Sequence, residues 1–423
     1  MMLYGTILAI LAVCFAFICY KDIKMSAGLV LMLLPVYLLR FSIAGLPFTF
    51  LEVMILILFC FWALKHKGMR SFPKYSKQFL IPSAVLLASA IAGVAVSDNL
   101  LSALGIFKAY FIEPMLFFAV AISVFRTYDD ILFALWRLCV GVILISVFGI
   151  FQYFSGTAIP VPWDIERRVT SFYTFPNAVG LFVAPVVALI LPIVARAFVS
   201  MKPKYFFLAI SASALGALVI IFAKSEAALG ALAIVFLLML VTSRMGRFAA
   251  LLIVLATTIT LASAPALRAT IIQKAALQDY SGQVRLSQWS ETADMLRDRP
   301  IFGAGLAGYP TALAPYHKAE QYEIFQYPHN IFLNIWTELG LLGLAAFVLF
   351  AILSLRLFAR AWKDRQMRPL ALGAFGALLV MFIHGLVDVP YFKNDLAVMT
   401  WMIFAVLAMS SVPESEVDGN KIL

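Results

Sequence analysis

The sequence predicts an all-α integral membrane protein: a polytopic bundle of about twelve or thirteen transmembrane helices, with one large external loop carrying short helices. Three observations carry this prediction. Of 423 residues, 63% are hydrophobic and 13% charged, with a mean hydropathy of +0.98; soluble domains carry roughly 25% charged residues. Apolar stretches of the length needed to cross a bilayer, about 20 residues, recur along the chain. Only one long stretch, Ala264 to Phe325, reads as soluble.

The candidate spans lie at 3–20, 25–40, 46–64, 79–96, 100–125, 131–154, 176–199, 205–223, 226–242, 248–264, 330–355, 369–387 and 395–411. The first three are short, and Pro35 and Pro47 either merge or break them, which leaves twelve or thirteen. The first span lacks a basic flank and a small-residue cleavage site, so it reads as retained rather than as a signal peptide. Residues 1–263 form the N-terminal part of the bundle, 264–328 the loop and 329–423 the C-terminal part, together one structural domain.

Net charge is +10, but its placement matters more than its size. If Lys65, Lys67, Arg70, Lys74 and Lys77 face the cytoplasm, the loops at 196–204, 244–247 and 356–368 fall on the same side. With Lys21, Lys24, Arg126 and Lys421 these loops hold more than half of the 32 basic residues, the bias expected of short cytoplasmic loops. The charge therefore reports topology and contact with membrane lipids. No basic stripe with interleaved aromatics lies outside the spans, so nucleic acid is not an expected partner. The 264–325 loop, the 155–175 segment and the 388–395 turn then lie outside the cytoplasm, where nucleotide cofactors are not supplied.

The four cysteines sit inside predicted spans as small hydrophobes, and the four histidines are too scattered for a metal cluster. Within the long loop, Leu286, Trp289, Ala293 and Leu296 recur at helical spacing, which predicts an amphipathic helix over about 284–298 on the membrane surface. Gly303-x-Gly305-x-x-Gly308 copies the dinucleotide-binding pattern, but that pattern needs a strand before it and a βαβ unit around it. These glycines read as turn-formers.

His329 is the first candidate for chemistry. It follows Pro328 at the start of a predicted helix, where free N–H groups favour an anion, and an imidazole can take a proton from a hydroxyl; the alternative is a residue that only caps the helix. Asn330, Asn334 and Glu338 share one helix face, with Thr337 beside them, and either line a cavity or pack helices. Arg168 and Arg285 are the external arginines suited to fork onto phosphate oxygens, in competition with Arg167 and with Arg297 and Arg299. His384 and Asp388 stand at i, i+4 near the external end of their span and could hydrogen-bond each other. Lys108 and Glu113, about 140° apart on their helix, are expected to pair with other helices.

The ordered pieces resemble the O-antigen ligase/polymerase family of bacterial envelope glycosyltransferases. Arg285-Leu-x-x-Trp289, then Asp298-Arg-Pro300-Ile-Phe-Gly303-Ala-Gly305 and Tyr309-Pro310, is similar to the family's periplasmic loop. Pro328-His329-Asn330-x-x-Leu333 with Glu338-Leu-Gly340-Leu-Leu-Gly343 is the most diagnostic string. Arg168-Val-Thr-Ser-Phe with Pro176-Asn177, and His384-Gly-Leu-Val-Asp388, resemble its other motifs. Lys224-Ser225-Glu226 departs from the usual Ser-Arg-Gly. The resemblance covers roughly Arg168 to Asp388.

It implies a multi-pass protein of the bacterial inner (cytoplasmic) membrane with its active site facing the periplasm. A glycan would pass from an undecaprenyl-diphosphate carrier to an acceptor hydroxyl on lipid A–core or another glycan, without metal or cofactor. His329 would be the base, Arg285 and Arg168 the diphosphate clamp, with Asn330, Asn334, Glu338 and Asp388 in support. A polymerase or protein oligosaccharyltransferase of the same family is the alternative, and a bicarbonate-type secondary transporter is the alternative of another class.

Overall fold

The computed structural model describes residues 2–43, 46–65, 72–197 and 202–412. The basic residues Lys67, Arg70 and Lys421, and also His66, lie outside them. The chain folds as an all-α polytopic membrane protein. Its first helices are α1 (Met2–Lys21), α2 (Ile23–Met32), α3 (Phe50–Lys65) and α4 (Leu80–Ala95). α5 (Leu100–Phe107) and α6 (Glu113–Val124) join through a π turn at Lys108–Ile112. α7 (Tyr128–Ser155), α8 (Pro176–Ala197), α9 (Pro203–Phe222), α10 (Glu226–Leu240) and α11 (Arg244–Ser263) follow. The long loop holds α12 (Pro265–Ala275), α13 (Tyr280–Asp298) and α14 (Tyr309–Leu313), and α15 (Ile331–Ala361), α16 (Arg368–His384) and α17 (Asn394–Ser410) complete the chain. Among the described residues, eight helices are long and apolar enough to cross a bilayer, and four shorter apolar helices accompany them.

The predicted spans reappear as helices, with one correction near the N-terminus. The 25–40 stretch is α2 plus a 3₁₀ turn at Leu34–Leu38, and the chain then forms a hairpin, β1 (Arg40–Ile43) against β2 (Leu46–Thr49). Pro35 ends the helix because it has no N–H to give and clashes with the preceding turn. Pro47 sits in the hairpin opposite Ser42, where a two-stranded edge tolerates it. Lys108 pairs with another helix as expected: its ammonium meets Glu52 of α3 and the Pro47 carbonyl. Glu113 does not, and both its carboxylate oxygens are buried without a hydrogen bond.

α8 and α17 form the centre. Every residue of α17 is buried, as a helix apolar all round must be. α11 is largely exposed, with Leu251, Leu252, Val254 and Leu255 outward. In a bilayer such a face meets lipid.

α15 is not one span. Gly340 has φ +67° and breaks it after nine residues. The glycine-rich stretch of the long loop fills the break. Ala304 and Gly305 donate to the Thr337 carbonyl at 2.7 and 3.1 Å, Leu341 donates to Ile301 O at 2.9 Å, and the Trp336 indole donates to Pro300 O at 2.7 Å. On the other side Leu306 donates to Gly93 O of α4 at 2.9 Å, and Ser97 Oγ to Leu306 O at 2.7 Å. Gly303 and Gly305 have φ +68° and +78°, and a Cβ on Gly303 would overlap the Trp336 and Thr337 carbonyls. They are turn-formers, set where two backbones touch.

The expected helix over 284–298 is α13, longer by a turn, and its buried face differs from the predicted one. Val284, Gln288, Glu291, Thr292 and Met295 face the protein, with Leu296 beside them, while Leu286 is exposed. The polar members of this stripe hold the loop. Glu291 accepts from the Lys318 and Ala319 N–H groups at 2.9 and 3.0 Å and from His317 Nδ1 at 3.0 Å, and His317 Nε2 lies 3.0 Å from the Tyr322 carbonyl. Both ring nitrogens thus face acceptors, which only the imidazolium satisfies. The hydrogen bond to Glu291 raises His317 above the ordinary histidine value.

Candidate active site

The site forms where the start of α15 meets the turn after α16. The last loop residues before α15 are held in place by α13: Gln288 Nε2 donates to Tyr327 O at 3.2 Å and Trp289 Nε1 to Pro328 O at 2.8 Å. His329 then takes a left-handed backbone, φ +47°, uncommon for a residue with a Cβ and a mark of a position fixed by its surroundings. Its ring packs against Tyr327 and Phe325, with centroids 4.7 and 5.3 Å away.

Four consecutive residues of the turn each receive a partner. Gly385 O accepts from Ile331 N at 2.7 Å, Leu386 O from Asn330 Nδ2 at 3.0 Å, and Val387 O from Arg285 Nε at 3.0 Å. Asp388 Oδ1 stands 3.5 Å from His329 Nδ1, the reach of an ion pair rather than of an aligned hydrogen bond, and Asp388 Oδ2 accepts from Asn177 Nδ2 at 3.1 Å. Asp388 is 2% exposed. Burial pushes its carboxyl up, but the imidazole of His329 beside it, and then the His384 ring, outweigh burial and hold it below the usual carboxylate range.

The structure therefore brings together Arg285, His329, Asn330 and Asp388. It adds Asn177, Gln288 and Trp289, whose roles the sequence did not disclose. With Nδ1 turned to Asp388, His329 Nε2 makes no hydrogen bond among the described residues.

Other candidates sit elsewhere. Asn330 caps α15, its Oδ1 accepting from Phe332 and Leu333 N–H. Asn334 is buried, with neither amide atom hydrogen-bonded. Glu338 lies about two turns further on and accepts from Ala307 N at 3.0 Å, so it fastens the glycine turn. Arg168 stacks on Trp163 at 5.0 Å and donates Nε–H to Ala223 O at 3.3 Å; no contact joins it to His329. Arg297 pairs with Asp294, whereas Arg285 is bonded to the turn that carries Asp388. The hydrogen bond that the spacing of His384 and Asp388 would allow is not formed. Both His384 ring nitrogens are buried without a partner, because Asp388 turns to His329 and Asn177.

Beneath the turn an apolar cavity of about 320 Å³ lies between α15, α16 and α17. Ile331 and Pro390, each two residues from a site residue, line its upper end, with Phe350 and Trp401 among its walls. Among the described residues no group of three or more His, Cys, Asp or Glu is placed to hold a metal ion.

No curated protein sequence matches the chain. Residues 209–348 match the family model of the O-antigen ligase; the match includes Arg285 and His329, begins after Arg168 and Asn177, and ends before Asp388. Over that third of its length the chain is similar to the O-antigen ligase family.

Proposed function

We propose that this protein transfers a glycan from an undecaprenyl-diphosphate carrier to an acceptor hydroxyl at the periplasmic face of the inner membrane, as an O-antigen ligase acting on lipid A–core. The observation that carries the reading is the His329–Asp388 pair beside Arg285, held between the entry of α15 and the turn after α16. In the reaction the acceptor O–H attacks the anomeric carbon and its proton passes to His329 Nε2. The C–O bond to the diphosphate breaks, and its electron pair leaves with the phosphate. Asp388 orients the ring through Nδ1 and stabilises the imidazolium that forms, as the carboxylate does in other base–orienter pairs. Arg285 would meet the charge growing on the leaving diphosphate, with Arg168, held apart on Trp163 and Ala223 O, as the proposed second cation. Attack opposite the leaving group inverts the anomeric centre. The carrier's isoprenoid chain suits the apolar cavity below Ile331 and Pro390.

The donor is already activated, so the step needs neither nucleotide nor metal. The bicarbonate-transport reading is weakened by the way α15 is broken. Discontinuous helices serve transporters when their open ends line a path, whereas here the backbone groups at Gly340 are taken up by Ile301, Ala304 and Gly305.

The deciding experiment is transfer by purified protein in nanodiscs, with an undecaprenyl-diphosphate glycan and with lipid A–core or carrier-linked repeat offered separately. Product on lipid A–core that disappears in His329→Ala is expected. Elongation of the carrier-linked chain instead would make the protein a polymerase, and full activity in His329→Ala would remove His329 from the mechanism.

A further inference from the structure

One cation near the site is not used by the mechanism above. Lys393 lies in the turn that carries Asp388, immediately before α17, and is partly buried. Its ammonium sits over the Tyr173 ring at 4.0 Å and the Tyr37 ring at 5.5 Å. Among the described residues the ammonium makes no hydrogen bond and no ion pair. Lys24, Lys108, Lys224, Lys274 and Lys318 each have a carboxylate partner.

The two acids nearest in its field are already engaged: Asp395 Oδ2 accepts from Tyr173 OH at 3.0 Å, and Asp388 is held by Asn177 and His329. These two links, Tyr173 to Asp395 and Asn177 to Asp388, zip the entry of α8 onto the 388–395 turn. They fix Lys393 between them in sequence. Burial works against its charge and pushes the ammonium below the ordinary lysine value. Asp395 and Asp388 favour the charge from a distance, but no acceptor touches the ammonium, whose only near neighbours are the two ring faces, so its N–H groups remain open to an incoming anion. Two further donors stand next to it: the Asn394 amide, 6% exposed with Nδ2 lacking an acceptor, and the N-terminus of the 17-residue α17, whose dipole favours negative charge.

We infer that Lys393 is a diphosphate-binding residue of the transferase, meeting the phosphate oxygens of the lipid carrier from the α17 side while Arg285 meets them from the α13 side. The inference rests on the transfer reading above and names a residue that the sequence motifs did not. Breaking the glycosyl–oxygen bond adds a negative charge to the diphosphate. An ammonium at that point therefore favours departure of the product side and holds the released prenyl diphosphate. Lysine does this as a point charge, without the fork geometry of arginine.

The test reads binding apart from transfer. Purified full-length protein is titrated with geranylgeranyl diphosphate and with geranylgeraniol, by thermal shift and by calorimetry. The wild type is expected to bind the diphosphate at least tenfold more tightly than the alcohol. Lys393→Met should lose most of that difference with affinity for the alcohol unchanged, and Lys393→Arg should restore it. In transfer assays the Met variant should raise the donor KM and weaken inhibition by added prenyl diphosphate, leaving the acceptor KM unmoved. A purely structural lysine would lower the melting temperature and leave these ratios alone, which would overturn the inference. So would equal diphosphate affinity in wild type and variant. Should the Met variant not fold, the unaltered protein still decides: bound geranylgeranyl diphosphate should slow acetylation of Lys393 read by mass spectrometry, and no protection sinks the idea. Absence of transfer by the wild type would defeat the transferase reading while leaving the binding result to judge Lys393.

Discussion

Asn177 donates its side-chain N–H to Oδ2 of Asp388 at 3.1 Å, across 211 residues of sequence, and so joins the entry of α8 to the residue that faces His329. The bond occupies the carboxylate oxygen not turned to the imidazole and fixes the plane of the carboxyl group. Replacing Asn177 with Leu keeps the volume and removes the donor. Transfer should then slow by about tenfold to a hundredfold, the usual cost of a small misplacement at a reacting centre. The fall should appear in kcat, with the donor KM little changed.

Asp388→Asn keeps shape and removes charge. Without the carboxylate, the proton taken up by His329 loses its electrostatic partner, and kcat should drop about a hundredfold or more. The acid side of stability should change too. The Asp388 carboxyl is held below its usual range, so its contribution is present above the ordinary Asp value near 3.9 and is lost as pH falls below it. Melting temperatures of the wild type should fall through that region more steeply than those of the variant.

The His317–Glu291 latch gives a pH dependence of opposite sense. His317 is raised above its ordinary value, so the stability it supplies is complete below about pH 6.5 and is lost as pH rises through the elevated value. Hydrogen exchange at Lys318 and Ala319, corrected for intrinsic rates, should speed up over that rise. Glu291→Gln should abolish the dependence and leave the segment open throughout.

Gly340→Ala places a Cβ against the Ile301 carbonyl at φ +67°. The left-handed backbone and the overlap together should cost about 2 kcal/mol or more. The expected result is less folded protein and a lower midpoint in detergent unfolding; an unchanged midpoint would mean that the break relaxes freely.

Much of this architecture was legible in the residues. Runs such as Pro203–Phe222 and Tyr128–Ser155 announce helices because a bilayer leaves the backbone no other way to satisfy itself. His329 and Arg285 were visible as polar residues placed at the mouth of an apolar helix and on an amphipathic one. The Arg40–Thr49 hairpin was not, since Phe41 and Phe48 read as membrane residues until they stack on each other. The break at Gly340 was hidden because a glycine in an apolar run looks like close helix packing. The partners of Asp388 were hidden for another reason: the i, i+4 spacing pointed to His384, and only the tertiary fold brings His329 and Asn177 closer. Lys393 carried no signal in the sequence, because the Tyr37 and Tyr173 rings that hold its ammonium lie far from it along the chain.

The stitching of Pro300–Ala307 between α4 and the broken α15 also constrains how the molecule is made and entered. Its partners at Gly93 and Ser97 are synthesised two hundred residues earlier than the stretch itself, and those at Trp336–Leu341 some thirty residues later. This stretch therefore waits for α15 before its second flank can lock, and a chain stalled before α15 leaves that flank open. Once locked, it is tied on both flanks, to α4 and to α15, mostly backbone to backbone. For the lipid-tailed donor proposed above, this leaves the apolar cavity between α15, α16 and α17 as the place for the tail, reached from the bilayer side rather than through the stitched stretch.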